Sequence, residues 1–480
     1  MNKSYIKYSG LCMLMLALLI SGCHKDDSTL SENPVNNIMV TDPEHEEAIT
    51  IFQGDSLKLK PLLAQSIQKD LDQLEFQWII YNNSAGGSLA SPRETLSDDY
   101  ELKVLVNEPV FTLGDSYVLR FEVKDKASGV SSYLNYQIQI GNKYVEGWMV
   151  LEDKQHIGDL SFVFPDYSTE HGIYNDRNMT PIIGPRKLEI TPFGVGDEIS
   201  ATGKRLYILA DEGSQEYNYL TMVKKFDYAF EFFSAPAIED PQVMTWTSQY
   251  TYSGVRSPAL GIVINNGKLH SNLVGGFPGV KKWGDVALTP QGDKNYNLAP
   301  FAVGGETYPA IVYDNTAKRF YHVRGYNPSP VAGTLEAFPS GGSAGVSTVF
   351  DMNNVGMTMI FQDSSDVKHE YNAVMRSADN MPYLFRYKTV NTTQSPNITL
   401  VKQQMNAPGF LDFDAAAGST QTPHIYYAKD NHLIKYETSS NSTDAPYNFP
   451  AGEHVTAIRY SRSSPNQGGP VLVVATWDGT

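Results

Sequence analysis

Ala310-Ile311-Val312-Tyr313-Asp314-Asn315 returning through Arg319-Phe320-Tyr321, and His424-Ile425-Tyr426-Tyr427-Ala428-Lys429-Asp430 returning through Leu433-Ile434-Lys435-Tyr436, are two copies of one pattern. Each is an apolar run, a turn rich in Asp, Asn or Gly, and a second apolar run, which is how a β-hairpin reads in sequence. Outward from these two copies, the unit starts at Met149, Leu206, Leu260, Ala310, Ala373, His424 and Val471, at intervals of 47 to 63 residues. One small sheet cannot bury both of its faces, whereas sheets set around a ring bury each face against a neighbour and leave only short edges. The repeat therefore predicts a β-propeller of about seven blades over residues 146–480; Trp477-Asp478-Gly479-Thr480 reads as a turn with no return strand, which leaves the last blade incomplete in this sequence unless an upstream strand completes the ring. A pair of stacked sandwiches with accidental spacing is the competing architecture.

Upstream, residues 37–141 read as short alternating strands. The clearest are Leu57-Lys58-Leu59, Leu74 to Ile80, Tyr117 to Val123 and Tyr133 to Ile140, with Trp78 on a central strand. Roughly 100 residues of this pattern suit an Ig-like β-sandwich. With 38 Gly, 27 Pro and 29 Tyr, the whole chain is predicted to be all-β, and its 480 residues are enough for at least two cores. Helical spacing occurs only at Leu63, Ile67, Leu71 and Leu74, a short helix or a decorated loop.

The first 22 residues have the build of a secretory signal: Lys3 and Lys7, an apolar run from Leu11 to Ile20, then small Ser21 and Gly22. Ten apolar residues are too few for a membrane-spanning helix, which needs about 20. Ile20-Ser21-Gly22-Cys23 resembles the bacterial lipobox, which marks Cys23 for acylation and makes it the first residue of the mature chain. The other cysteine, Cys12, leaves with the signal, so no disulfide forms. Residues 23–36 are polar and read as a tether. Thirty-seven basic against 53 acidic residues give a net charge of −16, about −18 once Lys3 and Lys7 are removed. Such a balance argues against nucleic acid and against charge-driven adhesion to anionic lipid, leaving the acyl chains to hold the protein to the outer-membrane bilayer.

Several stretches resemble known families. His24-Lys25-Asp26-Asp27 resembles the short signal that sends Bacteroidetes lipoproteins to the outer face of the outer membrane. Tyr117-Val118-Leu119-Arg120-Phe121-Glu122-Val123-Lys124-Asp125 resembles the late strand of PKD domains, although Trp78-Ile79-Ile80-Tyr81-Asn82-Asn83 stands where that family carries Trp-Asp-Phe-Gly-Asp-Gly. With the junction Glu146-Gly147-Trp148-Met149-Val150-Leu151 and the propeller-like remainder, nearly the whole chain resembles the PKD-like family of Bacteroidetes lipoproteins. That resemblance implies a surface lipoprotein accompanying a SusC/SusD-type transporter, in a binding or accessory role with no ligand specified.

The motifs give little chemistry. Gly341-Gly342-Ser343-Ala344-Gly345 has the spacing of a nucleophile elbow but no helical pattern follows Ser343. His369-Glu370 lacks the second His of a zinc helix, His424 and His432 flank one turn, and Asp412-Phe413-Asp414 with Gly418 lacks the remaining ligands of a calcium loop, so a turn is the better reading. No catalytic residue, metal or cofactor is expected. For binding, Trp246, Tyr250 and Tyr252 lie in a Ser/Thr-rich stretch, and Lys281, Lys282 and Trp283 in the Gly/Pro-rich loop Phe277 to Asp285. Aromatic faces stack on sugars or peptide side chains while nearby hydroxyls hydrogen-bond; the alternative is that these rings fill gaps between blades. Three functions compete: a non-enzymatic glycan- or peptide-binding subunit, a propeller hydrolase with paired carboxylates, and a structural protein that docks on a partner.

Overall fold

The computed structural model describes residues 35–67, 69–82, 93–106, 110–112, 115–141, 143–144, 146–190, 205–218, 222–246, 250–252, 255–257, 259–274, 282–304, 308, 310–323, 334–338, 349–389, 397–461 and 469–478. The chain divides into two compact units between Lys143 and Tyr144. Among the described residues, no helix is long and apolar enough to cross a membrane.

The first unit is built on a five-stranded sheet. Its order is Ile49–Phe52, Ser131–Gly141, Ser116–Asp125, Leu74–Asn82, Glu94–Ser97, with only the first pair parallel. Two smaller antiparallel pairs, Ile38–Thr41 with Leu62–Gln65 and Ser56–Leu59 with Leu102–Leu105, complete the Ig-like sandwich. Alternation sets the faces: in Ser56–Leu59 the two Leu are buried and Ser56 and Lys58 exposed. Trp78 is fully buried opposite Phe121, with ring centroids 4.5 Å apart, and its indole N–H donates to the Asp99 carbonyl at 3.0 Å. The Leu63-to-Leu74 stretch is not a helix. Ile67 and Leu71 are 51% and 40% exposed, so a helix here would have no apolar stripe to bury; instead Leu62–Gln65 is a strand, Asp70 caps the single 3-10 turn Leu71–Gln73, and Leu74 starts the next strand.

The second unit is a β-propeller assembled from successive sheets. The hairpin Trp148–Lys154 with Ile157–Val163, carrying the short strand Thr169–Glu170, comes first. Ile182–Ile190, Arg205–Glu212, Gln215–Asn218 and Lys224–Asp227 follow, joined to that hairpin by a short pairing of Ile157 with Ile183 and Gly158 with Ile182 and by the Gly184 N–H bond to the His156 carbonyl. The next sheets are Pro241–Trp246, Ala259–Asn265, Lys268–Val274, then Ala310–Asp314, Arg319–Val323, Leu335–Ala337, then Thr358–Ser364, Glu370–Arg376, Pro382–Thr389, Asn397–Gln404, then Ala415–Gly418, His424–Lys429, His432–Glu437, Ser442–Asn448, and last His454–Ser461 with Val471–Trp477.

Side chains alternate across these sheets so that each shares one core with the sheet before it and another with the sheet after. Leu206, Ile208 and Ala210 pack back towards Leu160 and Phe162, while Tyr207 and Leu209 pack forward towards Met244 and Val263. Ala310 and Val312 join Ile262 and Ile264, while Ile311 and Tyr313 join Ala373, Met375 and Phe385. Ile425 and Tyr427 face Val374 and Leu384, and Ala428 faces Val455 and Ile458. A one-residue slip in any of these strands would exchange its two cores. Tight turns hold the registers: Asn266 and Gly267, both at positive φ (47° and 67°), close the hairpin between Asn265 and Lys268 as an Asn-Gly type I′ turn.

Six of the seven starts open a hairpin; the seventh, Val471, does not, because Val471–Trp477 pairs back on His454–Ser461 as the second strand of its hairpin. Those at Leu206, Leu260, Ala373 and His424 fall on the second and third strands of their sheets, and that at Ala310 on the first and second of its described sheet, where Ala310–Asp314 is buried along its whole length. First strands carry more polar residues, such as Arg186, Lys187 and Glu189 in Ile182–Ile190 and Gln362, Asp363 and Ser364 in Thr358–Ser364. In the last three sheets these first strands lie against one another, Thr358–Ser364 beside Ala415–Gly418 and Ala415–Gly418 beside His454–Ser461. They line the propeller axis.

Candidate functional site

The aromatic residues singled out by sequence part company here. Trp246 ends the strand Pro241–Trp246 opposite Gly261, and Tyr250 and Tyr252 pair with Ser257 and Val255 in a small hairpin; their side chains, like Lys281 and the stretch 341–345, lie outside the described residues. Trp283 is 1% exposed and packed with Tyr207, Leu209, Tyr228, Phe232, Met244 and Val263. It fills the core between two blades, which corrects the expectation that it presents a face to a ligand.

Trp283 nevertheless builds a surface. Its backbone N–H donates to the Glu231 carbonyl at 2.7 Å, and its carbonyl accepts from the Phe233 N–H at 3.0 Å. This pins the 3-10 turn Tyr228–Glu231, which turns Tyr228 and Glu231 inward and Phe230 outward. Phe230 and Phe233 are 50% and 71% exposed, and Phe226 stacks on Phe230 with centroids 5.0 Å apart and planes 19° apart. Lys282, next to the buried Trp283, lies 4.1 Å from the Phe230 ring centre, and Lys225 lies 5.3 Å from that of Phe226. The Asn178 side chain, bonded to the Met222 carbonyl and the Lys224 N–H, brings exposed Met179 beside exposed Val223. The result is a ledge of the stacked Phe226 and Phe230 rings edged by the Lys282 ammonium, with exposed Phe233 just beyond in the chain, fit for sugar faces or peptide side chains; Lys225 is drawn inward to Glu216 at 3.7 Å. The spacing of Phe226, Phe230 and Phe233 gave no sign of it, because Tyr228 and Phe232 interleave them and point inward; Lys282 was the one residue of the ledge that sequence had picked out.

The second polar focus lies on the axis. The half-buried Asp363 carboxylate accepts from the Gly418 N–H at 2.8 Å and from its neighbour Ser364 N–H at 2.7 Å. Burial raises its pKa above the usual carboxylate value; the two N–H groups and the positive charges of Arg459 and Lys187 oppose that rise. Lys187 and Arg459 stand on the first strands of two other sheets. Lys187 is bound to Glu189 at 2.5 Å, whereas exposed Arg459 makes no ion pair or side-chain hydrogen bond among the described residues. Gly418 is required by close approach: a Cβ would sit 2.6 Å from the Ser364 carbonyl oxygen.

Two hydroxyl–imidazole–carboxylate groupings resemble hydrolytic machinery without its wiring. His424 joins the Thr422 hydroxyl (2.9 Å) to Glu437 (2.7 Å), but the Thr422 hydroxyl is also engaged with Ser419 Oγ at 2.8 Å in the turn. Ser161 Oγ, 3% exposed at the residue level, donates to Glu152 at 2.5 Å and meets His171 Nδ1 at 2.7 Å; the same nitrogen is 2.9 Å from Glu152, so imidazole does not relay between hydroxyl and carboxylate. Asp414 caps a turn, accepting from the Asp430 N–H at 2.6 Å. Among the described residues no three His, Cys, Asp or Glu form a metal-binding group.

The fold and its two surfaces define a PKD-like domain followed by a β-propeller. Residues 23–184 match the PKD-like family. No curated protein matches the chain. Among solved structures, it is similar to a quinonprotein alcohol dehydrogenase-like protein from Bacteroides thetaiotaomicron VPI-5482, at 12% identity over 92% of this chain and 94% of that one, TM-score 0.40. The β-propeller domain of Cps50 (Swd1) from Myceliophteria thermophila is similar at 9% identity over 65% and 89%, TM-score 0.35. A putative 6-phosphogluconolactonase from Bacteroides fragilis NCTC 9343 is similar at 10% identity over 79% and 95%, TM-score 0.27.

Proposed function

We propose that this chain is an outer-membrane lipoprotein, acylated at Cys23 and facing outward, that binds a glycan or peptide without transforming it as an accessory subunit of a SusC/SusD-type uptake system. The observation that carries the binding role is the ledge of Phe226, Phe230 and Phe233 with Lys282, because exposed stacked aromatics edged by a cation are costly to leave in water and well suited to capture. The lipobox-like Ile20-Ser21-Gly22-Cys23 and the polar tether behind it support the anchored setting.

The test is a glycan and peptide array probed with residues 24–480, wild type and Phe230→Ala/Phe233→Ala. A specific hit weakened at least about tenfold in the double variant, equivalent to about 1.4 kcal/mol, is the expected result. Both rings are surface residues, so folding stability should move by less than about 0.5 kcal/mol each. A hit indifferent to both substitutions, or silence on both arrays, overturns the ledge as the binding surface; silence would favour a docked protein partner instead.

A further inference from the structure

We propose that Asn266 is a modification site: an uncatalysed deamidation to aspartate and isoaspartate, which the fold restrains by holding the Gly267 nitrogen on Gln242. Asn266-Gly267 is the single Asn-Gly pair in the sequence. The hairpin between Asn265 and Lys268 demands it, because both turn positions have positive φ and a Cβ on Gly267 would run into the Asn297 side-chain oxygen. Glycine at the second position also leaves the backbone nitrogen unscreened by any side chain. The residue that makes the turn is thus the one that makes it chemically labile. Asn266 stands exposed at the tip, open to water, while Gly267 is buried.

The reaction needs no partner but water. The Gly267 nitrogen gives up its proton and attacks Asn266 Cγ, closing a succinimide ring as ammonia leaves with Nδ2. Water then opens the ring at either carbonyl, to aspartate or to isoaspartate. Gln242 stands against the first step. It is the extra residue of the bulge between Pro241 and Val243, where Pro241–Trp246 pairs with Ala259–Asn265, and its Oε1 accepts the Gly267 N–H at 2.7 Å. The proton that must leave is therefore held. The peptide planes are held too, since the Asn266 N–H donates to the Asp240 carbonyl at 2.9 Å and the Gly267 carbonyl accepts from the Leu298 N–H at 3.0 Å. These bonds oppose the swing that brings the nitrogen to Cγ. Isoaspartate would add a main-chain carbon to a turn whose flanking residues Asn265 and Lys268 pair directly, pulling Ile264 and Leu269 out of register in their shared core.

Ageing of residues 24–480 at mildly alkaline pH, folded or in concentrated urea, followed by digestion and mass spectrometry, tests this. The peptide carrying Asn266 should gain the mass of amide-to-acid conversion, at least about fivefold faster in urea than in the fold. Folded Gln242→Met should deamidate there about fivefold faster than folded wild type, the rate equivalent of one hydrogen bond worth about 1 kcal/mol. Asn441 is the internal control: it has positive φ in another blade's turn and is followed by Ser442. Its rate should be the same in both folded proteins, which marks the faster Asn266 as a local effect. No mass gain at Asn266 in urea, equal rates in fold and urea, Gln242→Met ageing as slowly as wild type, or equal acceleration at Asn266 and Asn441 would each overturn the proposal.

Discussion

Trp283→Ala is expected to destabilise the propeller by about 3–5 kcal/mol, the range for emptying a buried Trp site. The indole is 1% exposed and touches side chains from two neighbouring sheets, Tyr207 and Leu209 on one and Met244 and Val263 on the other. Truncation would leave a cavity that two rigid sheets cannot close. It would also loosen the hydrogen bonds to Glu231 and Phe233 that hold Phe230 outward. Thermal melting followed by circular dichroism should show the loss, and any fall in ligand binding at low temperature should be smaller than that of Phe230→Ala/Phe233→Ala. A Trp283→Ala protein that melts like wild type but fails to bind would return the indole to the ligand surface.

Gly418→Ala is the second large effect, expected to cost about 1–3 kcal/mol by overpacking. The added methyl would lie 2.6 Å from the Ser364 carbonyl oxygen and 3.1 Å from Asp363 Cβ, and neither is the far end of a flexible side chain. The strands Thr358–Ser364 and Ala415–Gly418 must separate, and the Gly418 N–H bond to Asp363 lengthens or breaks. Gly418→Ala should therefore lower the melting temperature, and the Asp363 carboxylate should lose its bond from the Gly418 N–H. Unchanged melting would mean that the two first strands are not held at this distance.

Both effects bear on what was legible in the sequence. The paired hairpins were readable because strands such as Ala310–Asp314 and Arg319–Val323 are short, almost continuously buried runs that need no partner to be recognised. First strands were nearly invisible: Thr358-Met359-Ile360-Phe361-Gln362-Asp363-Ser364 mixes core and axis residues and has no clean period. The axial residues were lost with them, since Lys187, Asp363 and Arg459 stand on first strands far apart in sequence. Trp78 was placed in the right core by its alternating neighbours, whereas Leu63, Ile67, Leu71 and Leu74 offered helical spacing that solvent exposure makes worthless. Trp283 shows the limit of composition: an aromatic in a Gly/Pro-rich loop reads equally as a ligand face or as a filler between blades, and only the blade-to-blade packing shows that the ring turns in while Lys282 stays out over Phe230.

What either surface can meet depends on where the chain is held, and Cys23 carries that claim. The direct measurement is metabolic labelling of the full chain in a Bacteroidetes host with a clickable fatty acid, comparing wild type with Cys23→Ser, together with antibody access on intact cells. Label on the wild type that vanishes in Cys23→Ser, in a protein that sediments with outer membrane and is reached from outside, is the result this account requires. An unlabelled protein free in the periplasm, or one that antibody reaches only after lysis, would contradict it.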